Sequence, residues 1–284
     1  MRVLCVALAA WAAASLWAEE RPIDPTFLRR HVPGLEAKPC GDGCRYEAIF
    51  GEGAPDAGIV KGIARYGGLI LEPGGATAAA EVAGEERVYV ILEGSAAVRY
   101  GKESVPVKRG DFFYIAAGAP HSLSNPSTAR CRAIEMGFRI PPGVRVQVPE
   151  TLPLANIDDV PKQTVAGHPP TTLYQLLMGG RESKRDKIAA AHVLTSLFIM
   201  EFAPGGTNFP HHHEEEEEIY LVLDGNGDMV AGGGLDGIEA RFPAKAGDAY
   251  FFRLNCTVGF YSSNEPGSKA RILAARSRFP FPKR

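Results

Sequence analysis

Clustered positive charge, cysteine and long apolar runs are all scarce in this chain of 284 residues. Lys and Arg number 31 against 33 Asp and Glu, a net charge of −2, and no stretch is a basic block. Nucleic acid is excluded as a partner on that ground, because phosphate binding needs concentrated Lys and Arg. Five cysteines are too few for a disulfide scaffold in a chain of this length. Beyond the first twenty residues no apolar run approaches the ~20 residues that span a bilayer, so no later membrane span is expected.

The one apolar run lies at the start, MRVLCVALAAWAAASLWAEE. A short positive region at Arg2, apolar Val3 to Leu16 and the small-residue site ending at Ala18 have the layout of a secretory signal peptide, 1–18. An exported protein, periplasmic or extracellular, is expected. Cys40 and Cys44 bracket a tight glycine-rich loop, CGDGC. In an oxidising compartment that spacing reads as a disulfide; a metal site is the alternative, without a second ligand pair nearby.

What is abundant is turn chemistry, with 32 Gly and 22 Pro. Short runs rich in Val, Ile, Tyr and Phe alternate with Gly, Pro and Asp turns, which predicts an antiparallel sandwich or barrel. The pattern occurs twice. Pro73-Gly74-Gly75 and Gly94 in one copy match Pro204-Gly205-Gly206 and Gly225 in the other, and each copy continues into a Gly-Asp pair, Gly110-Asp111 and Gly247-Asp248. The chain divides into an N-terminal arm (19–60), a first barrel (61–140), a linker (141–190) and a second barrel (191–284).

The second copy carries the chemistry: PGGTNFPHHHEEEEEIYLVLDGNG, from Pro204. His211 and His213 share one face of a strand, since side chains alternate with period two, while His212 points away. Glu218 can return to that face from the neighbouring strand; Glu217 meets a shorter spacing, so the choice between the two glutamates is open. Two imidazoles and a carboxylate suit a divalent first-row metal. Tyr220 shares the parity of Glu218 and should face inward, either to hold a ligand by its hydroxyl or to fill the barrel.

Gly205, His211, His213, Glu218 and Gly225 resemble the first motif of the cupin superfamily, and the repeat resembles a bicupin. The resemblance implies an all-β chain of two tandem jelly-roll barrels, with an arm that packs across the partner barrel. It also separates the two copies. In the first, Ala80, Val82 and Arg87 stand at the positions of His211, His213 and Glu218, which implies a metal-free barrel; His121, with Asn125, keeps the last motif but has no companions. In the second, Val258 stands where a further His is usual. Cys256 lies two residues before it, either within reach of a metal or as a core thiol. Arg253 is placed to meet an anionic substrate at the mouth or to face solvent.

One divalent ion is therefore expected, Fe or Mn by the resemblance, with Zn or Ni also compatible with these ligands. Two function classes remain. One is a metal-dependent enzyme, dioxygenase-, lyase- or isomerase-like, acting on a small polar or anionic molecule. The other is a non-catalytic cupin that binds a sugar or organic acid. A polar pocket with an open metal position favours the first; filling by Phe198, Met200, Phe202, Val258 and Phe260 favours the second. Exposed sheet edges make a homodimer the default.

Overall fold

A computed structural model describes residues 25–234 and 239–280. The expected signal peptide lies outside the described residues. Those described are almost entirely strand and turn, with one short 3-10 turn at Ile157–Asp159. No helix among them is long and apolar enough to cross a membrane.

Each copy of the repeat makes a large sheet facing a small one. In the first barrel, Glu85–Glu93, Cys131–Arg139, Ile63–Leu71 and Asp111–Ile115 form the centre of a seven-stranded sheet opposite the three strands Ser95–Tyr100, Glu103–Lys108 and His121–Ser124. In the second, Glu216–Asp224, Ala270–Arg278, Leu194–Phe202 and Asp248–Phe252 do the same, opposite His211–His212, Asn226–Gly232, Glu239–Lys245 and Thr257–Ser262.

The segments outside the repeat complete these sheets. Ala37–Gly41 and Cys44–Gly51 extend the first sheet, and the Cys40–Cys44 disulfide joins them across their turn, with Cα atoms 5.2 Å apart. Thr172–Gly180, whose type the sequence leaves open, is a strand; with Ile188–Ala191 it extends the second sheet. The two barrels thus reach further than the repeat itself, into stretches expected as arm and linker.

Two further strands cap the opposite edges in matching ways. Phe27–His31 pairs with Asp248–Phe252, and Leu154–Asn156 pairs with Asp111–Ile115. The Gly-Asp pairs explain the match. Asp248 accepts the Lys245 amide at 3.0 Å and meets His31 Nδ1 at 2.8 Å. Asp111 accepts the Lys108 amide at 2.7 Å and the Asn156 side-chain amide at 2.7 Å. The arm that starts before the first barrel therefore edges the second.

The large sheets are apolar on both faces, as strands buried on both sides must be. In Glu216–Asp224, Tyr220 and Val222 join Phe198, Met200, Phe252 and Ile272 inside the second barrel. Ile219 and Leu221 instead join Leu197, Phe251 and Leu273 in one continuous core with the first barrel, where Phe50 meets Phe251 at 6.0 Å between ring centroids. At roughly 1.5–3 kcal/mol for each large apolar side chain buried, this shared face holds the barrels together. It also sorts the strand: even-numbered residues face the barrel interior, odd-numbered ones the neighbouring barrel.

Candidate metal centre

That sorting separates the two glutamates. Glu218 faces inward and is 2 % exposed. Glu217 faces the first barrel, where its carboxylate accepts the amides of Gly62 at 2.7 Å, Ile63 at 3.3 Å and Lys61 at 3.4 Å. Burial pushes its pKa up to about 7, against the opposing pull of those amides. Glu217 is thus part of the joint between barrels, away from the site.

His211 reaches the interior from the short strand opposite, and His213 from the residue just beyond that strand's end. Each of His211, His213 and Glu218 offers a ligand atom within 4.8 Å of the other two, the one such group among the described residues. His212 is exposed, as alternation requires. The His211 ring is oriented from behind: Nδ1 lies 2.8 Å from the Phe209 carbonyl. A carbonyl only accepts, so Nδ1 carries the proton and Nε2 keeps its lone pair. Phe209 holds that carbonyl in place with a left-handed φ of 53°, uncommon for a side chain of this size.

One carboxylate oxygen of Glu218 lacks a hydrogen-bond partner although buried, and lies 3.3 Å from His213 Nε2. A buried anionic oxygen without a donor costs free energy unless a cation meets it, so this donor set fits a divalent ion. Burial alone would raise the Glu218 pKa; His213, Arg276 and His211 more than reverse that and hold it below the usual carboxylate value. Burial lowers the His211 pKa, favouring the neutral ring that a metal requires.

His211 and Glu218 open onto a cavity of about 50 Å³. Its polar lining includes His168, Tyr174, Arg185, Asn208 and Arg276; its apolar lining includes Leu176, Phe198 and Met200. Tyr220 also lines it, its hydroxyl 3.0 Å from the Asn208 amide. Arg253 and Cys256 do not line it. Arg253 reaches back to the Pro25 carbonyl at 3.4 Å, and the Cys256 sulfur lies 3.3 Å from both the Gly232 amide and the Thr257 carbonyl. Val258 pairs directly with His211 and is buried.

His168, Arg185 and Arg276 have no motif of their own. The register supplies the signal for Arg276, which sits directly opposite Glu218 on the adjoining strand. His168 and Arg185 come from segments outside the repeat, where spacing carries no information about what they face.

The first barrel shows the alternative outcome at the same positions. Arg87 stands opposite Gly137 as Glu218 stands opposite Arg276. Its guanidinium pairs with Glu85 at 2.9 Å and Glu135 at 3.1 Å. His121 bridges to Ala80, and its ring nitrogens lie 3.0 Å from the Ala119 carbonyl and 3.1 Å from the Tyr89 hydroxyl.

The same two stretches match a family model: the cupin domain model covers residues 69–137 and 198–274. The chain belongs to the cupin family. Its two-domain form is a bicupin, and solved structures share that architecture. A putative glyoxylate-induced protein from Pseudomonas aeruginosa superposes with a TM-score of 0.70 at 16 % identity, over 94 % of each chain. YlbA from E. coli gives 0.66 at 14 %, over 96 % of this cupin and 100 % of YlbA. A mutant of Bacillus subtilis oxalate decarboxylase gives 0.63 at 14 %, over 92 % and 79 %. At these identities the likeness is one of fold. No match was found among curated protein sequences.

Proposed function

We propose that this bicupin binds one divalent metal ion through His211, His213 and Glu218, and is a metal-dependent enzyme acting on a small polar or anionic molecule. The observation that carries this reading is the buried Glu218 oxygen, without a hydrogen-bond donor and gathered with two imidazoles. A divalent ion there would supply a Lewis acid for an oxygen of the bound molecule. The chain's own groups would do the rest: the Phe209 carbonyl fixes the His211 tautomer, and the cavity lining positions the bound molecule. Mn or Fe is the favoured ion; the Mn(II) centres named for oxalate decarboxylase, a structural neighbour, support that preference.

The test is metal analysis of purified protein, followed by oxygen uptake and product detection on catechols, diketones and small hydroxy and keto acids. One equivalent of metal with turnover supports the enzyme. One equivalent without turnover on any of these favours the ligand-binding alternative, and absence of metal overturns the metal-dependent enzyme. We further propose export, with cleavage after Ala18. The mass of the mature protein and its location in fractionated cells test that reading; a full-length cytoplasmic chain overturns it.

A further inference from the structure

Resting on the metal reading above, we propose that Tyr174, Arg185 and Arg276 form an anion subsite beside the metal centre, which takes the carboxylate of a compact ligand.

Tyr174 carries the first argument. It lines the cavity at 4 % exposure, and its hydroxyl has no hydrogen-bond partner. Buried hydroxyls are normally paired, so this one is poised to donate to something that enters. Its neighbours locate it: the Tyr174 ring meets His168 at 5.4 Å between centroids, and His168 in turn meets His211 at 5.4 Å. Tyr174 therefore sits near the metal end of the cavity.

The two guanidiniums line the same small space. Arg276 lies 3.1 Å from Glu216 through Nε and 3.2 Å from His213 Nε2 through a terminal nitrogen. Arg185 lies 3.2 Å from Asp186 and 3.0 Å from the Ser196 hydroxyl. A guanidinium has five N–H donors in a planar fork, more than these contacts use, and the fork matches the two oxygens of a carboxylate.

Charge decides when the subsite works. Two guanidiniums against the carboxylates of Asp186, Glu216 and Glu218 leave this neighbourhood one charge negative, which repels anions. A divalent ion reverses that to one charge positive. The subsite thus holds an anion more tightly in the loaded protein than in the empty one. Size narrows the class. Each water-sized group needs roughly 10–15 Å³ of such space, so a cavity of about 50 Å³ shared with the ion favours a ligand of few non-hydrogen atoms. Leu176, Phe198 and Met200, beside Tyr174 in the same lining, suit a short hydrocarbon or keto body and reject a second charged group.

Acetate is the probe, titrated calorimetrically at constant ionic strength into metal-loaded protein, with methylammonium and benzoate as controls for charge and size. Acetate binds and the controls do not. Tyr174→Phe weakens acetate about fivefold and Arg185→Gln tenfold or more, as expected for a neutral and a charged hydrogen bond. Both variants keep the wild-type metal content and melting temperature. His211→Ala, stripped of metal, binds acetate at least tenfold more weakly. Failure of acetate to bind loaded protein, equal binding of methylammonium, or unchanged affinity in both Tyr174→Phe and Arg185→Gln overturns the subsite. Metal content, measured on the same preparations, judges the metal reading separately. If the wild type holds no metal and yet Arg185→Gln loses acetate, the subsite stands and the metal centre falls.

Discussion

Glu86 and Glu217 occupy equivalent places in the two halves of the chain, and each reaches into the other half. Glu86 accepts the amides of His192 at 2.7 Å, Val193 at 3.0 Å and Leu194 at 2.8 Å. Glu217 does the same for residues 61 to 63. Each carboxylate thus serves three backbone donors of the other half, and the barrels are latched twice. Glu86→Ala or Glu217→Ala should each cost about 1–3 kcal/mol, the penalty for stranding buried donors. Gln at either position should recover most of it. Denaturant unfolding measures the cost, and metal analysis of Glu217→Ala should give the wild-type content.

The metal itself is tested by the opposite set. His211→Ala, His213→Ala and Glu218→Ala should each abolish stoichiometric metal, while His121→Ala should retain it, because the His121 ring is already occupied by Ala119 and Tyr89. Loss of metal in His121→Ala would place the centre in the wrong barrel.

Phe209 gives a finer test of the same centre. Glycine adopts its left-handed backbone without strain, so Phe209→Gly should keep the carbonyl under His211 and keep metal affinity within about threefold. Phe209→Val forces a β-branched residue into that region at roughly 1–2 kcal/mol. Competition with a chelator should then show metal binding weakened about tenfold.

The docked arm responds to acid. Burial works against ionisation of Asp248, but His31, the Lys245 amide and Arg29 outweigh it and hold its pKa below the ordinary aspartate value. A depressed carboxylate stabilises the fold above its unfolded pKa of ~3.9 and loses that contribution as pH falls through the folded value. The difference in urea midpoint between wild type and Asp248→Asn should therefore be largest near neutrality and close below about pH 4.

The fold was legible because its signals are local. Turn glycines, short apolar runs and the twice-repeated Gly-Asp pair each act within a few positions, and together they imply two barrels. His211, His213 and Glu218 were legible for the same reason: the two imidazoles are two residues apart at one short strand and its end, and the carboxylate lies at the start of the next. The rest of the site depends on register between distant segments. Arg276 meets Glu218 only because Ala270–Arg278 and Glu216–Asp224 pair as they do. Arg185 and His168 arrive from stretches where the repeat is silent. Glu217 shows the converse: its spacing suited a ligand, and only the strand's parity, fixed by the shared face between barrels, turns it elsewhere.

Arg87 gives the two halves different dependencies on their surroundings. Where the C-terminal half leaves an acidic group that the proposed ion would match, the N-terminal half carries a guanidinium tethered by its own backbone between Glu85 and Glu135. That pairing forms as soon as the polypeptide folds, so under the metal proposal starvation for transition metals or exposure to a chelator would disarm one barrel and leave the other a ready-made scaffold on which it can be reloaded.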